Sequence, residues 1–253
     1  MTRWIAGLDG CRGAWAGILL DLDVPEHHRS ARFARVSDLV DGPEAPLMIG
    51  IDVPIGLPDR ILGGGRAADK AARAYLGKGR SSVFPMPPRA AIYAPDYAAA
   101  KDLSRAGSEP PFAPSIQCWN ITPYIREVDG LLRARPGLAS RLREVHPELA
   151  FRRLNRDVPL RAGKKGPEKA AGLAERRSLL VAAGLPADLV ASLPPRHIGG
   201  DDHLDAMAAL VVARDILLGC ANPLPDPPET DRFGLPIVIW LPARTAGDPP
   251  DPC

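Results

Sequence analysis

Cysteine is scarce, with four in 253 residues (Cys11, Cys118, Cys220 and Cys253), and none of them stands at a paired metal-ligand spacing. A chain of this length buries a core without disulfide staples, so a reduced, cytoplasmic setting is expected. Histidine is nearly as sparse, at five, and no His/Cys grouping carries the spacing of a structural zinc site. No apolar run approaches the ~20 residues of a membrane span. Met1-Thr2-Arg3-Trp4-Ile5 enters an apolar strand directly, without the h-region of a signal peptide, so a membrane is not an expected partner. Neither sign of charge dominates: 32 lysines and arginines face 30 acids, for a formal charge of +2. That balance neither demands nor excludes nucleic acid, because the local field decides.

What the chain does have is 45% hydrophobic residues, enough for a large α/β core. Trp4 to Leu8 and Ala14 to Leu20 read as a β-hairpin around a glycine-rich turn, with Asp9 at the tip of its first strand. A third strand is expected over Ala31 to Val36. Leu47 to Ile51 is a continuous apolar run ending at Asp52, as in a strand covered on both faces. Val53-Pro54-Ile55-Gly56-Leu57-Pro58 cannot continue such a strand. Residues 59–141 then change texture and predict a largely helical insertion packed over one end of the sheet, with helices over Ala67 to Leu76 and Ile121 to Leu132. Leu142 to His146 predicts a short strand stopped by Pro147. Pro167 and Glu168 suit the first turn of a helix running towards Gly184. The clearest helix spans Asp201 to Leu218 between Gly200 and Gly219, and Leu235 to Leu241 predicts a last strand. Residues 1–241 are expected to form a single domain including the insertion, and 242–253 a flexible tail.

Acids recur at the ends of these elements. Asp202 and Asp205 are three apart and Asp201 and Asp205 four apart, so either pair shares a helical face. Like charges so close oppose their own ionisation unless a cation compensates them. Hard ions such as Mg²⁺ or Mn²⁺ take oxygen ligands of this kind. If Asp9, Asp52 and the helix start converge, they can hold two such ions, one activating water and one stabilising a leaving oxygen. Each acid also has a structural reading: Asp9 as an acceptor for turn amides, Asp52 as a strand-end cap, the helix acids as N-terminal capping, and Glu144 as a solvated strand end. His146, in Glu144-Val145-His146-Pro147-Glu148, is placed to orient a water or to support the site from behind; Asp201 is a second such neighbour.

The insertion contributes cations interleaved with aromatics: Arg66, Lys70, Arg73, Lys78, Arg80 and Arg89 among Tyr75, Phe84 and Tyr93. Cations position phosphates and aromatics stack on unpaired bases, although a solvated helix face has the same composition. Arg12, Arg80, Ser81, Ser82, Arg89, Gln117, Trp119 and Asn120 are candidate substrate-facing groups. Lys164 and Lys165 suit either a phosphate clamp or a solubilising loop.

Asp9-Gly10-Cys11-Arg12-Gly13-Ala14-Trp15, Ile51-Asp52-Val53-Pro54-Ile55-Gly56-Leu57-Pro58, Arg80-Ser81-Ser82-Val83-Phe84, Glu144-Val145-His146-Pro147-Glu148 and Asp201-Asp202 with Asp205-Ala206 together resemble the DUF429 family of predicted ribonuclease H-like nucleases. The resemblance runs from residue 5 to about residue 240. It implies a ribonuclease H-like fold, a mixed five-stranded sheet flanked by helices with the insertion after the fourth strand. In that superfamily, carboxylates of the first strand, the fourth strand and the last helix bind divalent metal. These roles fall on Asp9, Asp52 and Asp202 with Asp205, and Glu144 is a candidate extra ligand. Two acids three residues apart on the last helix resemble the Holliday-junction resolvase branch, from which Asp52 departs by replacing a glutamate.

The expected activity is Mg²⁺- or Mn²⁺-dependent hydrolysis of DNA or RNA, with structured or single-stranded substrates favoured if the insertion caps the cleft. Gly7-x-Asp9-Gly10-x-x-Gly13 also resembles the ATP-phosphate hairpin of sugar kinases and actin-like proteins, although a second such hairpin is missing. The third reading is a nucleic-acid or protein-binding module without catalysis.

Overall fold

The structure is a computed structural model that describes residues 2–244. Its central sheet has five strands: β1 (Trp4–Cys11), β2 (Ala14–Asp21), β3 (His28–Phe33), β4 (Met48–Ile51) and β5 (Leu142–Glu144), in the order β3-β2-β1-β4-β5. The first three form an antiparallel meander, while β4 lies parallel to β1, so the sheet is mixed. Arg12 and Gly13 join β1 to β2 as a two-residue turn with φ of 38° and 74°, the positive pair that a tight hairpin following the strand twist requires.

Burial follows position in the sheet. Every residue of β2 is buried, and β1 is exposed only in part at Trp4 and Gly10. The third strand begins three residues earlier than its apolar content suggested. His28–Phe33 has no fully buried residue, as suits an edge strand, and Val36 instead opens a short helix, Val36–Val40. Pro147 does end the strand before it, but at the first helical position it also starts the unanticipated helix Pro147–Leu154.

The chain divides into two compact units. One comprises the segment up to Asp52, Val145–Asn222 and the chain from Trp240 on; the other comprises Val53–Glu144 and Pro223–Ile239. The second unit carries the helices Ala67–Leu76, Tyr97–Ala106 and Thr122–Ala134 expected of an insertion after the fourth strand. Pro236–Leu241 pairs with Asn222–Thr230 in a two-stranded ribbon, and a single parallel bridge joins its Trp240 to Val145, just past β5. Of the expected tail, residues 245–253 lie outside the described residues. Among the described residues, no helix is long and apolar enough to cross a membrane.

In the first unit the last helix, Gly200–Leu217, lies directly on β1 and β4. Gly7 and Gly50 are register partners on these neighbouring strands. A Cβ at Gly7 would run into the Ala206 carbonyl oxygen and the Leu210 nitrogen, and one at Gly50 into the Ala209 carbonyl oxygen. The helix answers with small buried residues, Ala206, Ala208, Ala209 and Ala213. Backbone therefore meets backbone, without side chains between the layers.

Gly7→Ala and Gly50→Ala should each destabilise the protein by about 2–3 kcal/mol, because rigid main chain cannot yield to the added carbon. Gly130→Ala, in a helix with nothing within 4 Å of the new carbon, should be neutral or stabilising by about 0.5–1 kcal/mol. Urea denaturation of the three variants checks the contrast.

Candidate active site

Asp9 lies two residues beyond Gly7 on β1, and Asp52 two residues beyond Gly50, just past the end of β4. The Asp52 amide donates to the Leu8 carbonyl at 2.9 Å, which continues the β1–β4 register past the strand. Side chains two apart on a strand share a face, so both carboxylates project on the side where the glycines admit the last helix. That helix supplies Asp202 in its first turn and Asp205 one turn further on. Asp9 and Asp205 are buried, whereas Asp52 and Asp202 retain partial exposure.

The acids perturb one another. Burial, reinforced by Asp52 and Asp205, pushes the Asp9 carboxyl well above its ordinary range. Burial also raises Asp52, opposed by His146, Lys164 and a side-chain hydrogen bond with Asp9. Both carboxyls are therefore held above the ordinary carboxylate range, Asp9 more strongly than Asp52. Asp205 rises to about 6, again through burial, with Lys164 pulling the other way. Asp202 is raised by burial and by Asp201, while its Oδ2 accepts from the Gly199 amide at 3.3 Å.

One cation is built into the cluster. The Lys164 ammonium donates to Asp205 Oδ2 and lies 3.3 Å from Glu148 Oε1. Burial alone would lower its pKa, but Asp205 and Glu148 outweigh that and hold it charged. Arg176, itself buried, completes the arrangement by donating from one nitrogen to both Glu148 oxygens at 3.0 Å. The loop bearing Lys164 is fastened to the helix Lys169–Ala182. Glu175 accepts from the Arg161 and Ala162 amides, and Arg176 donates to the Ala162 carbonyl. Gly172 has no side chain to obstruct the Gly163 carbonyl. Lys164 is thus a fixed ion-pair partner of Asp205.

The donor set suits a hard cation. It is all carboxylate, and Asp205 Oδ1 is buried without a hydrogen-bond partner. Even so, among the described residues no group of three His, Cys, Asp or Glu side chains stands arranged to hold a metal ion. The Lys164 ammonium occupies Asp205 Oδ2, one of the oxygens an ion would use.

The remaining candidates disperse. His146 caps the start of Pro147–Leu154 and lies close enough to Asp52 to favour its charged form. Asp201 is partly buried in the first turn of the last helix. His203 donates or accepts at 2.8 Å from the Ser30 hydroxyl and is pulled down to about 4 by burial and Arg177, so its ring is neutral and structural. Arg12 is exposed at the hairpin turn, and Lys165 is exposed beside Lys164.

In the second unit, Glu144 is enclosed by its own partners. Arg66 donates to both of its oxygens at 2.6 and 2.9 Å, the Ile55 amide donates at 2.6 Å, and Asp69 shares the same guanidinium. Its carboxylate is therefore occupied as a structural ion pair. Arg89 is likewise buried and divided between Asp129 at 2.7 Å and Asp231 at 2.6 Å. Arg80 and Ser81 are exposed in the turn Gly77–Ser82, where the Ser82 hydroxyl donates to the Gly79 carbonyl. Gln117 and Asn120 are exposed on the helix Ile116–Asn120, and Trp119 packs under Arg126, whose guanidinium lies 5.4 Å from the ring centroid.

Glu148 and Arg176 went unassigned in the sequence. Glu148 follows a helix-starting His-Pro pair, a first-turn position that carries a legible signal, but nothing local marks Arg176, 28 residues away, as its partner.

The sheet order, the last helix laid on its central strands and the insertion after the fourth strand define a ribonuclease H-like α/β topology. The family described as "Protein of unknown function (DUF429)" matches residues 7–230, and the chain belongs to it. No curated protein and no solved structure matches the chain.

A carboxyl whose pKa is higher in the folded state stabilises the fold most below its ordinary 3.8 and loses that contribution as pH rises. Stability of the metal-free protein should therefore fall between pH 4 and 6 through Asp205 and continue to fall above that through Asp9. Asp9→Asn keeps a donor for Asp52 and removes a charge, so at pH 8 it should raise stability by on the order of 1 kcal/mol. Thermal melts in chelator across this pH range measure it; a less stable variant would contradict the mutual repulsion. Glu144→Ala, by contrast, should cost about 3–5 kcal/mol in denaturant titration at pH 7, because it strands the Arg66 guanidinium.

Proposed function

We propose that this protein is a divalent-metal-dependent hydrolase of nucleic-acid phosphodiester bonds, using Mg²⁺ or Mn²⁺ at the Asp9–Asp52–Asp205 cluster. The observation that carries this reading is the enforced meeting of three carboxylates from β1, the end of β4 and the last helix, in surroundings that push all three pKa values up. A structural role gains nothing from that arrangement, because apolar side chains would fill the space at lower electrostatic cost. The ribonuclease H-like topology is consistent with such chemistry but does not by itself specify a reaction.

Asp9, Asp52 and Asp205 would hold the ion, with the partly exposed Asp202 as a further ligand towards solvent. When bound, the ion supplies a polarised water and offsets charge on the phosphate and leaving oxygen. His146 lies close enough to Asp52 to favour its charged form, and its ring is suited to moving a proton at the edge of the cluster. Asp52 and Asp202 retain partial exposure, which supports access to the site from solvent. For the polymer we favour DNA or RNA in single-stranded or structured form, contacted in the first unit through exposed Arg12 and Lys165. Arg89, committed to two aspartates, is withdrawn from the candidates. Free Cys11, Cys118 and Cys220 accord with a reducing cytoplasm.

A cleavage screen over single-stranded, duplex, hybrid and branched DNA and RNA, with Mg²⁺ or Mn²⁺, tests the reading. Asp9→Asn and Asp205→Asn should each lower the rate at least about a hundredfold, and chelator should abolish cleavage. Cleavage that survives both substitutions, or binding of ATP–Mg²⁺ without binding of Mn²⁺ alone, would overturn it.

A further inference from the structure

We infer that Lys164 is a resident second cation of this carboxylate centre, so that the site takes one divalent ion rather than two. The inference rests on the metal-centre reading above and deepens it. Four carboxylates meet around Lys164: Asp205 by direct contact, Glu148 at 3.3 Å, and Asp9 and Asp52 within electrostatic reach. Two cations stand against them, Lys164 and the Arg176 that grips Glu148. With all four acids ionised, two negative charges remain, which a single divalent ion neutralises. His146 adds charge only when protonated, and Asp202, partly exposed, has Lys165 as well as Lys164 to offset it.

Geometry points the same way. Asp205 gives Oδ2 to Lys164 and keeps Oδ1 buried and unpartnered, so one oxygen serves the ammonium and the other remains for an ion. The lysine is not a loop residue that drifts aside when an ion arrives. Glu175, Arg176 and Gly172 fasten its segment to a fourteen-residue helix. An ammonium held there occupies the ground on which a second ion would need Asp205 and Glu148 as ligands. Two divalent ions beside a fixed ammonium would leave the cluster with excess positive charge.

The stoichiometry of Mn²⁺ binding to the full chain tests this without substrate, by calorimetry together with the electron paramagnetic resonance of free and bound ion. Wild type should bind one Mn²⁺ per chain. Lys164→Met, which keeps the length and removes the charge, should bind a second ion or bind the first at least tenfold more tightly. Lys164→Arg should keep the wild-type stoichiometry. Two ions bound to wild type, or the same number at the same affinity in Lys164→Met, would overturn the inference and leave the metal-centre reading standing. No Mn²⁺ bound by wild type or by Lys164→Met would overturn both. The wild-type count decides the matter even if Lys164→Met does not fold.

Discussion

Contact between the main chain of the last helix and two paired glycines governs the first unit. Gly7 and Gly50 face each other across β1 and β4, and neither leaves room for a Cβ beneath Ala206, Ala209 and Leu210. Interiors this dense do not deform to accept another carbon. Because the glycines sit two residues before Asp9 and Asp52, the same approach that packs the helix also sets its acidic first turns against both carboxylates. Packing and electrostatics are thus one constraint: the helix cannot lie closer without more repulsion, nor further away without opening the core.

That repulsion explains the rest of the cluster. Four acids in one place need positive charge, and the chain supplies part of it as Lys164 and Arg176. The remainder shows as resistance to ionisation, with Asp9 held well above its ordinary range and Asp205 raised to about 6. A fold under selection for stability alone has no use for acids so placed. The second unit handles its buried charge differently. There Arg66 is matched to Glu144 and Asp69, and Arg89 to Asp129 and Asp231, and burial's upward push on Asp129 is outweighed by Arg89 and Tyr93. Compensated pairs hold a fold together, whereas the acids of the first unit are only partly compensated by Lys164 and Arg176.

Strand and helix positions were readable where period and punctuation agreed. The apolar run into Asp52 and the helices at Ala67–Leu76 and Gly200–Leu217 lie within a residue or two of their expected limits, whereas the first strand runs on to Cys11, three residues past Leu8, and so takes in Asp9. Reading failed where one residue type serves two purposes. Pro147 ends a strand and starts a helix, and His28–Phe33 pairs at a sheet edge despite its charges. The strand Pro236–Leu241 was recognisable as a strand but not as part of a two-stranded ribbon, because its partner Asn222–Thr230 is rich in proline and carries no strand pattern.

From its residues alone the chain places Asp52 just past a strand end and the Asp202/Asp205 pair in the opening turns of a helix, since local periodicity and turn chemistry decide where strands and helices stop; Asp9, expected at a strand tip, is paired inside the first strand. Only the tertiary structure decided which charges keep company. Glu144 and Arg89 look as available in sequence as Asp52 and Lys165, yet each is enclosed by partners up to 142 residues away. Lys164 looks like a loop lysine, yet it is held on Asp205 across 41 residues of chain. Ion pairing depends on distance and burial, and neither is a property of neighbouring letters; both arise only when the chain folds.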